Sequence, residues 1–400
     1  MTLLHKFAAL RQSHDIPIRL AAFYGASFLV VGSYAAFLPL WLRSVGLSET
    51  QIAVTVAMPV ILRPVFTTTI TFLADRSGHH VALLKLLVWG ALGSMLILPF
   101  GGGFPMIFAA FSLYALFWTT VIPLIDAVAL TAARRGAADY GQVRLWGSFG
   151  YIAVILTGGV AVDIFGPPAA LWLFLGSAVC VVIASRWLPD IARINGFGNG
   201  EIETGRTIRL ADVKQLLRLP LLWLFLAATS ATQAAHAVYY VFGTIHWTTI
   251  GISPTIIGTL WSIGVAAEMA LFAYAWRITQ HIGPAPLMAI GAAAACIRWT
   301  LTSLDPPLGL LFLLQAMHGL TFGATYLGTQ HAIARIVPDE MTASAQGIYA
   351  MMTGILMAGI TALAGPLYSS LGHLAFATMT IPPMLAIVAL LVYRRLAAAA

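Results

Sequence analysis

Residues 20–42 read LAAFYGASFLVVGSYAAFLPLWL and contain no charged side chain. The hydrocarbon core of a bilayer is about 30 Å thick, and an apolar helix of about 20 residues can cross it. The stretch therefore predicts a transmembrane helix. It is too long for the apolar core of a secretory signal peptide.

The composition of the whole chain agrees with this first stretch. Of the 400 residues, 60% are hydrophobic and 9% are charged, whereas soluble domains carry about 25% charged residues. These proportions exclude a single soluble core and a disordered chain. Cys180 and Cys296 both lie in apolar runs, so the sequence predicts neither a disulfide framework nor a cysteine metal site.

Further apolar stretches of similar length follow along the chain. Helix-breaking or polar segments separate them at 75–78, 101–103 and 166–168, and the short alternation of a membrane β-barrel is absent from the sequence. We therefore predict an all-α polytopic membrane protein. Its twelve predicted spans are 20–42, 51–73, 81–99, 104–132, 143–162, 168–187, 219–246, 255–277, 284–302, 307–335, 343–368 and 372–393.

The lysines and arginines predict the orientation. Arg43 alone lies on one side of the predicted spans, and the opposite side holds Lys6, Arg11, Arg19, Arg76, Lys85, Arg134, Arg135, Arg144, Arg277, Arg335, Arg394, Arg395 and the arginines of 186–218. Positive charge accumulates on the cytoplasmic side, so both termini are expected in the cytoplasm. The formal net charge of +7 is explained by this topology, and no nucleic-acid partner is predicted.

The longest polar stretch and an internal repeat both divide the chain into halves. We expect a six-helix bundle at 1–190, a cytoplasmic linker at 191–214 and a second six-helix bundle at 215–400. The segment 46–52, GLSETQI, corresponds to 251–257, GISPTII, at an offset of 205, and the same offset aligns Arg63 with Glu268. Transporters built from such repeats bind substrate near the bilayer midplane.

Ionisable residues inside the predicted spans are the first candidates for function. A charge at the bilayer centre costs about 2.5–3.5 kcal/mol or more, so each instance needs a reason. The candidates are Arg63, Asp126, Glu268, Arg298 and His318, with Arg144 at the start of the fifth span.

Two interpretations of these charges are open. They could pair structurally, Arg63 with Asp126 and Glu268 with Arg298, although buried pairs contribute little net stability. Alternatively, they line a cavity in which Glu268 exchanges a proton, with His318 sharing that role because histidine titrates near neutrality. His318 and His236 could instead be packing residues.

Aromatic residues adjoin two of these candidates. Trp299 follows Arg298, and Tyr239 lies one turn after His236. Rings beside buried cations suit a small amphipathic anion, or a sugar or nucleoside stacked on a ring. The sequence contains no Walker A, His-Glu-x-x-His or Cys-x-x-Cys motif, so we predict no enzyme activity, no metal and no cofactor.

Two motifs give the chain a resemblance to the major facilitator superfamily. Its loop between spans two and three usually reads Gly-x-x-x-Asp-Arg-x-Gly-basic-basic. Asp75, Arg76 and Gly78 match this pattern, whereas Thr71 replaces the first glycine and histidines replace the basic pair. The segment 139–148, DYGQVRLWGS, resembles the 3-phenylpropionate transporter group, which is related to nucleoside–proton symporters and lactose permease. Segments 235–240, 260–268 and 298–299 resemble it too.

This resemblance implies two pseudo-symmetric six-helix halves and roles for individual residues. Glu268, Arg298 and His318 resemble the proton- and sugar-coupling set of lactose permease. Asp126 and Arg144 resemble its sugar-binding pair. Lactose permease has a second carboxylate one turn after the histidine of span ten, where this chain has Thr321. Glu268 would therefore act alone or with His318.

We accordingly predict a proton-coupled importer of a small organic solute in the bacterial inner membrane, first of all an aromatic carboxylate such as 3-phenylpropionate. It would work as a monomer, by alternating access, with the solute, protons and the lipid bilayer as its partners. The alternatives are a nucleoside or oligosaccharide proton symporter and, third, a drug or metabolite exporter.

The predicted roles are divided among three groups of residues. Proton coupling falls to Glu268 and His318, and Asp75 and Arg76 would brace the cytoplasmic gate. The predicted substrate-binding residues are Arg63, Asp126, Arg144, His236, Tyr239, Arg298 and Trp299.

Overall fold

The protein is helical throughout its described part, as seen in a computed structural model that describes residues 3–189, 219–338 and 341–399. Side chains are described within these ranges except at 3–14, 75, 220, 343 and 397–399. The helices of the first half are α1 Leu3–Ser44, α2 Glu49–Ser77, α3 His80–Met95, α4 Gly103–Trp118, α5 Val121–Arg134, α6 Tyr140–Phe165 and α7 Pro168–Arg186.

The second half is built in the same way but is interrupted more often. Its helices are α8 Pro220–Ala234, α9 Ala237–Thr249, α10 Pro254–Ala273, α11 Ala275–His281, α12 Pro284–Thr302, α13 Leu308–Ala316, α14 Thr325–Ile336, α15 Thr342–Leu371, α16 Ala375–Thr378 and α17 Ile381–Ala399. A π-helical segment, Gly319–Ala324, lies between α13 and α14.

Eleven stretches of the described residues are long and apolar enough to cross a membrane. The last of them, Ser344–Leu396, contains most of α15 and α17, which the sequence analysis counts as two separate spans. The predicted all-α class is therefore confirmed. The difference in number arises because only a short break near Gly372 separates the last two helices.

Serines begin two helices that correspond in the predicted repeat. The Ser48 hydroxyl accepts from the Gln51 N–H at 3.3 Å, and Gln51 Oε1 accepts from the Ser48 N–H at 3.0 Å. This is a reciprocal capping box. At the offset of 205, the Ser253 hydroxyl accepts from the Ile256 N–H at 3.4 Å and caps α10. The repeated serine thus has the same physical role in both places.

The chain forms two compact units. The first comprises Met1–Leu47 and Leu62–Ile202, and the second comprises Ser48–Ile61 and Glu203–Ala400. The predicted linker at 191–214 and the predicted boundary at 190 lie outside the described residues, so the predicted domain limits stay predictions.

In the first unit, α1 packs closely along α6. A Cβ atom on Gly150 of α6 would collide with the Gly25 carbonyl of α1. Only glycine allows backbones to approach this closely, as is common where membrane helices pack. The contact fixes α1 beside the first turns of α6, the two helices that carry Tyr24 and Arg144.

In the second unit, the π-helical segment packs on α10. A Cβ atom on Gly319 would lie 2.8 Å from the Ala267 carbonyl oxygen. Such π segments occur often at functional sites, because they interrupt the regular hydrogen bonding of a helix. Here the close approach brings His318 next to Glu268.

Candidate functional site

Most of the predicted site residues lie in or beside two polar clusters, one in each unit. The N-terminal cluster comprises Tyr24, Phe28, Asp126, Tyr140 and Arg144. The C-terminal cluster comprises His236, Glu268, Arg298, Gln315, His318 and Thr321.

Asp126 is the centre of the N-terminal cluster. Its Oδ1 accepts from the Tyr24 hydroxyl at 2.5 Å and from the Tyr140 hydroxyl at 3.2 Å. Arg144 Nε lies 3.9 Å from the same oxygen. Three donor groups therefore converge on a single oxygen of the Asp126 side chain.

Arg144 also rests on aromatic rings of α1. Its guanidinium carbon lies 4.4 Å from the centre of the Phe28 ring and 5.7 Å from that of Tyr24. Cations favour the faces of aromatic rings. The side chains of Arg144 and Asp126 are 34% and 29% exposed, so both are only partly buried.

Arg63 stands apart from this ion pair. Its side chain is exposed, and it acts on Asp126 through electrostatic attraction. Among the described residues, Arg63 and Asp126 do not form the ion pair that the structural interpretation predicted. Asp126 pairs with Arg144 instead.

Arg298 is the centre of the C-terminal cluster and is fully buried. Its Nη1 donates to His318 Nδ1 at 3.2 Å and to Thr321 Oγ1 at 3.1 Å, and its Nη2 donates to Gln315 Oε1 at 2.9 Å. None of these three partners is a carboxylate. Among the described residues, its Nε has no hydrogen-bond partner.

These contacts determine the tautomer of His318. Arginine can only donate, so the Nδ1 of His318 must accept, and the ring proton is on Nε2. That Nε2 lies 3.6 Å from Glu268 Oε2. A chain of polar contacts therefore runs from Arg298 through the neutral imidazole of His318 to the Glu268 carboxylate.

His236 is fixed in the same way with the opposite tautomer. Its Nδ1 lies 3.0 Å from the Gln233 carbonyl, which can only accept, so Nδ1 carries the proton. Its Nε2, 3.0 Å away, then accepts from the Thr321 hydroxyl. Thr321 occupies the position at which lactose permease has its second carboxylate. Its neutral hydroxyl connects His236 to Arg298.

Aromatic rings enclose the Arg298 guanidinium. Its central carbon lies 5.0 Å from the Tyr239 ring and 4.6 Å from the Trp299 ring. Tyr239 stacks on Trp261, with ring centres 4.6 Å apart. The side chains of Trp299 and Tyr239 that contact Arg298 are buried. The neighbouring Tyr240 is partly exposed.

The two residues predicted for the cytoplasmic gate lie near the end of α2. Arg76 is exposed. The side chain of Asp75 lies outside the described part of the chain, so the gate stays a prediction. No group of three or more His, Cys, Asp or Glu that could hold a metal ion is found among the described residues.

Several residues of these clusters were missing from the predicted set. Gln315 and Thr321 lie three residues before and after His318, a spacing that places them near one helix face. That spacing was a usable signal. Tyr24 and Tyr140 were missed because tyrosines in membrane proteins commonly lie at the lipid interface.

Comparison with known proteins supplies a family and several relatives. The family model described as "MFS_1 like family" matches residues 17–377. The "Probable 3-phenylpropionic acid transporter" of Escherichia coli (strain K12) is 28% identical over 90% of this chain and 94% of that protein. The "Uncharacterized transporter YwbF" of Bacillus subtilis (strain 168) is 23% identical, over 84% of each chain.

A solved structure shares the fold. The crystal structure of the nucleoside transporter NupG matches with a TM-score of 0.79 at 14% sequence identity, covering 95% of this chain and 98% of that one. At this identity the likeness supports the fold alone.

Proposed function

The chain belongs to the MFS_1 like family of transporters, and on that premise we propose that it is a proton-coupled importer of a small aromatic carboxylate, with 3-phenylpropionate as the first candidate. It is a multi-pass membrane transporter and not an enzyme. The proposal further places it in the bacterial inner membrane with both termini in the cytoplasm, working as a monomer. The cytoplasmic termini follow from the distribution of lysine and arginine.

The observation that carries the proposal is the environment of Arg298. The guanidinium is fully buried, has only neutral hydrogen-bond partners, and leaves Nε without a partner among the described residues. A buried charge is expensive unless it is paired. A carboxylate on the transported solute would supply the missing counter-charge, and a neutral sugar would not.

The aromatic part of the proposal rests on two kinds of support. The rings of Tyr239 and Trp299 contact the Arg298 guanidinium, and Trp261 stacks on Tyr239 and Tyr240. The relative from Escherichia coli is a probable 3-phenylpropionic acid transporter. An acid with a flat ring matches both the cation and the rings.

The chain of contacts between Arg298, His318 and Glu268 supports the proposal of proton coupling. An ionised Glu268 draws the Nε2–H of His318 and lowers the positive potential around Arg298. A proton on Glu268 removes that negative charge, so Arg298 attracts a solute carboxylate more strongly. By linkage, the bound carboxylate favours the proton on Glu268 by the same factor. Anion and proton are then bound and released together.

The test is uptake of labelled 3-phenylpropionate into proteoliposomes under an imposed inward proton gradient. We expect accumulation that an ionophore collapses. Glu268→Gln, which mimics the protonated carboxyl, should lose gradient-driven accumulation but retain exchange of internal for external solute. Uphill uptake by that variant would contradict the role of Glu268, and absence of uptake by folded wild-type protein would contradict the substrate.

A nucleoside or oligosaccharide proton symporter is the second candidate. It is favoured by the N-terminal cluster, where the partly exposed Asp126 and Arg144 offer an acceptor and a donor side by side. Hydroxyl-rich solutes need such pairs. Uptake of uridine or maltose in place of the aromatic acid would select this candidate.

A further inference from the structure

We propose that an aromatic stripe formed by His318, Phe322 and Tyr326 binds the ring of the transported solute and makes the carrier selective for aromatic over saturated rings. This inference rests on the proposed function, since it assigns the ring of the same solute a place. It adds Phe322 and Tyr326 as specificity-determining residues.

The stripe follows one helix face at a spacing of four residues. The rings of His318 and Phe322 are 5.4 Å apart at an interplanar angle of 22°, and those of Phe322 and Tyr326 are 6.4 Å apart at 9°. Residues four apart lie above one another on a helix. The three rings are therefore nearly parallel and extend about 12 Å along the span.

The stripe begins at the coupling residues. His318 contacts both Arg298 and Glu268, and a Cβ atom on Gly323 would lie 3.7 Å from Glu268 Cγ. A solute whose carboxylate approaches Arg298 would thus have its hydrocarbon part beside Phe322. From there the stripe runs toward the end of the span that carries Arg335.

The far end of the stripe is accessible and flanked by rings of two other helices. Tyr326 is 37% exposed. Its ring lies 5.9 Å from Phe272 of α10 and 6.5 Å from Tyr349 of α15. Tyr326 does not lie in a closed core, because Phe272, Tyr349 and Phe322 are each partly exposed as well.

The chemistry of the stripe predicts a preference that simple hydrophobicity does not. Aromatic pairs gain free energy beyond the burial of area because their quadrupoles favour offset or edge contacts. That gain corresponds to about a three- to tenfold difference in affinity. A cyclohexyl ring buries similar apolar area but lacks this interaction.

The experiment compares a matched pair of acids in proteoliposomes. The ratio of kcat/KM for 3-phenylpropionate to that for 3-cyclohexylpropionate is measured in the wild type and in Tyr326→Leu and Phe322→Leu. We expect the ratio to fall about three- to tenfold in each leucine variant. Tyr326→Phe, which keeps the ring, should leave the ratio unchanged.

A control separates a specific effect from loss of an exposed tyrosine. Tyr274 is 57% exposed in the same unit and lies outside the stripe, so Tyr274→Leu should keep the wild-type ratio. An unchanged ratio in both Tyr326→Leu and Phe322→Leu, with both acids still transported, would overturn the stripe. If one leucine variant fails to fold, the other decides.

Failure of the proposed substrate can be told apart from failure of the stripe. If the wild type carries neither acid but carries uridine, the same ratio is measured for uridine against 5,6-dihydrouridine, whose base is not aromatic. A fall in the leucine variants then supports the stripe and rejects the aromatic acid. A wild type that carries none of the four solutes overturns both proposals.

Discussion

Arg298 donates to His318 Nδ1 at 3.2 Å, and this contact turns the Nε2–H of His318 toward Glu268. The buried cation thereby orients the imidazole that faces the titratable carboxylate. The Nδ1 of His318 accepts from the Arg298 guanidinium, and its Nε2–H faces the Glu268 carboxylate. The two functions can therefore be separated by substitution.

His318→Asn should keep binding and lose coupling. The asparagine side-chain oxygen can occupy the place of Nδ1 and accept from Arg298, but the shorter side chain cannot reach Glu268. We expect the KM of exchange to rise by no more than about tenfold, the effect of removing one ring of the aromatic stripe, while gradient-driven accumulation is lost.

His318→Gln is the matched control, because its amide group extends toward the position of Nε2. It should weaken the contact with Arg298 and raise the KM of exchange more than the asparagine variant does. Equal accumulation by His318→Asn and the wild type would show that the imidazole does not participate in coupling.

Thr321→Val should destabilise the second unit. The Thr321 hydroxyl accepts from Arg298 and donates to His236, and all three residues are buried. A methyl group in its place leaves a buried donor and a buried acceptor unsatisfied, which costs about 1–3 kcal/mol each. A lower thermal unfolding midpoint in detergent is the expected result.

Thr321→Ser serves as the control for that variant, since it keeps the hydroxyl and loses only a methyl group. Its unfolding midpoint should lie much closer to that of the wild type. If valine and serine unfold at the same temperature, the hydroxyl bridge does not contribute to stability.

The sequence alone predicted the spans and most of the charged residues of both clusters. Long uncharged runs identify membrane helices regardless of how the helices pack. Arg298, His318 and Glu268 were predicted because an ionisable group inside a membrane span costs free energy and therefore indicates a functional role. The structure brings these three together and joins Asp126 to Arg144.

Other parts of the site give a weaker signal in the sequence or depend on packing that no local pattern reveals. Gln315 and Thr321 are uncharged, so their place in a span gives a weaker signal than a charge does. The π-helical segment at Gly319–Ala324 packs closely on α10, which is remote in sequence, so no local pattern predicts this contact. The structural interpretation that paired Arg63 with Asp126 was wrong for the same reason, whereas the pair of Asp126 and Arg144 was implied by the resemblance.

Asp126→Asn should distinguish the two candidate substrates. The Arg144–Asp126 pair is about one-third exposed, and such pairs contribute at most about 1 kcal/mol. If the solute is an aromatic acid bound through Arg298, its kcat/KM should fall by less than about fivefold. If the solute is a nucleoside or sugar, its transport should be lost.

Tyr24→Phe tests the same cluster without altering its charge. It removes the 2.5 Å hydrogen bond to Asp126 but keeps the ring near Arg144. Loss of aromatic-acid uptake in both variants, with the protein folded, would contradict the assignment of the carboxylate to Arg298.

Gly150→Ala should weaken the packing of α1 on α6. The new Cβ would collide with the Gly25 carbonyl, a backbone atom that cannot rotate away. Overpacking of this kind costs about 1–3 kcal/mol, more than the gain of about 1 kcal/mol from replacing a helical glycine by alanine.

Gly93→Ala of α3 is the control, because its Cβ would meet nothing within 4 Å. We expect Gly150→Ala to lower the thermal unfolding midpoint in detergent and Gly93→Ala to leave it unchanged or raise it. Since Tyr24 and Arg144 belong to these two helices, Gly150→Ala should also reduce uptake, and wild-type stability in this variant would refute the close approach of the two backbones.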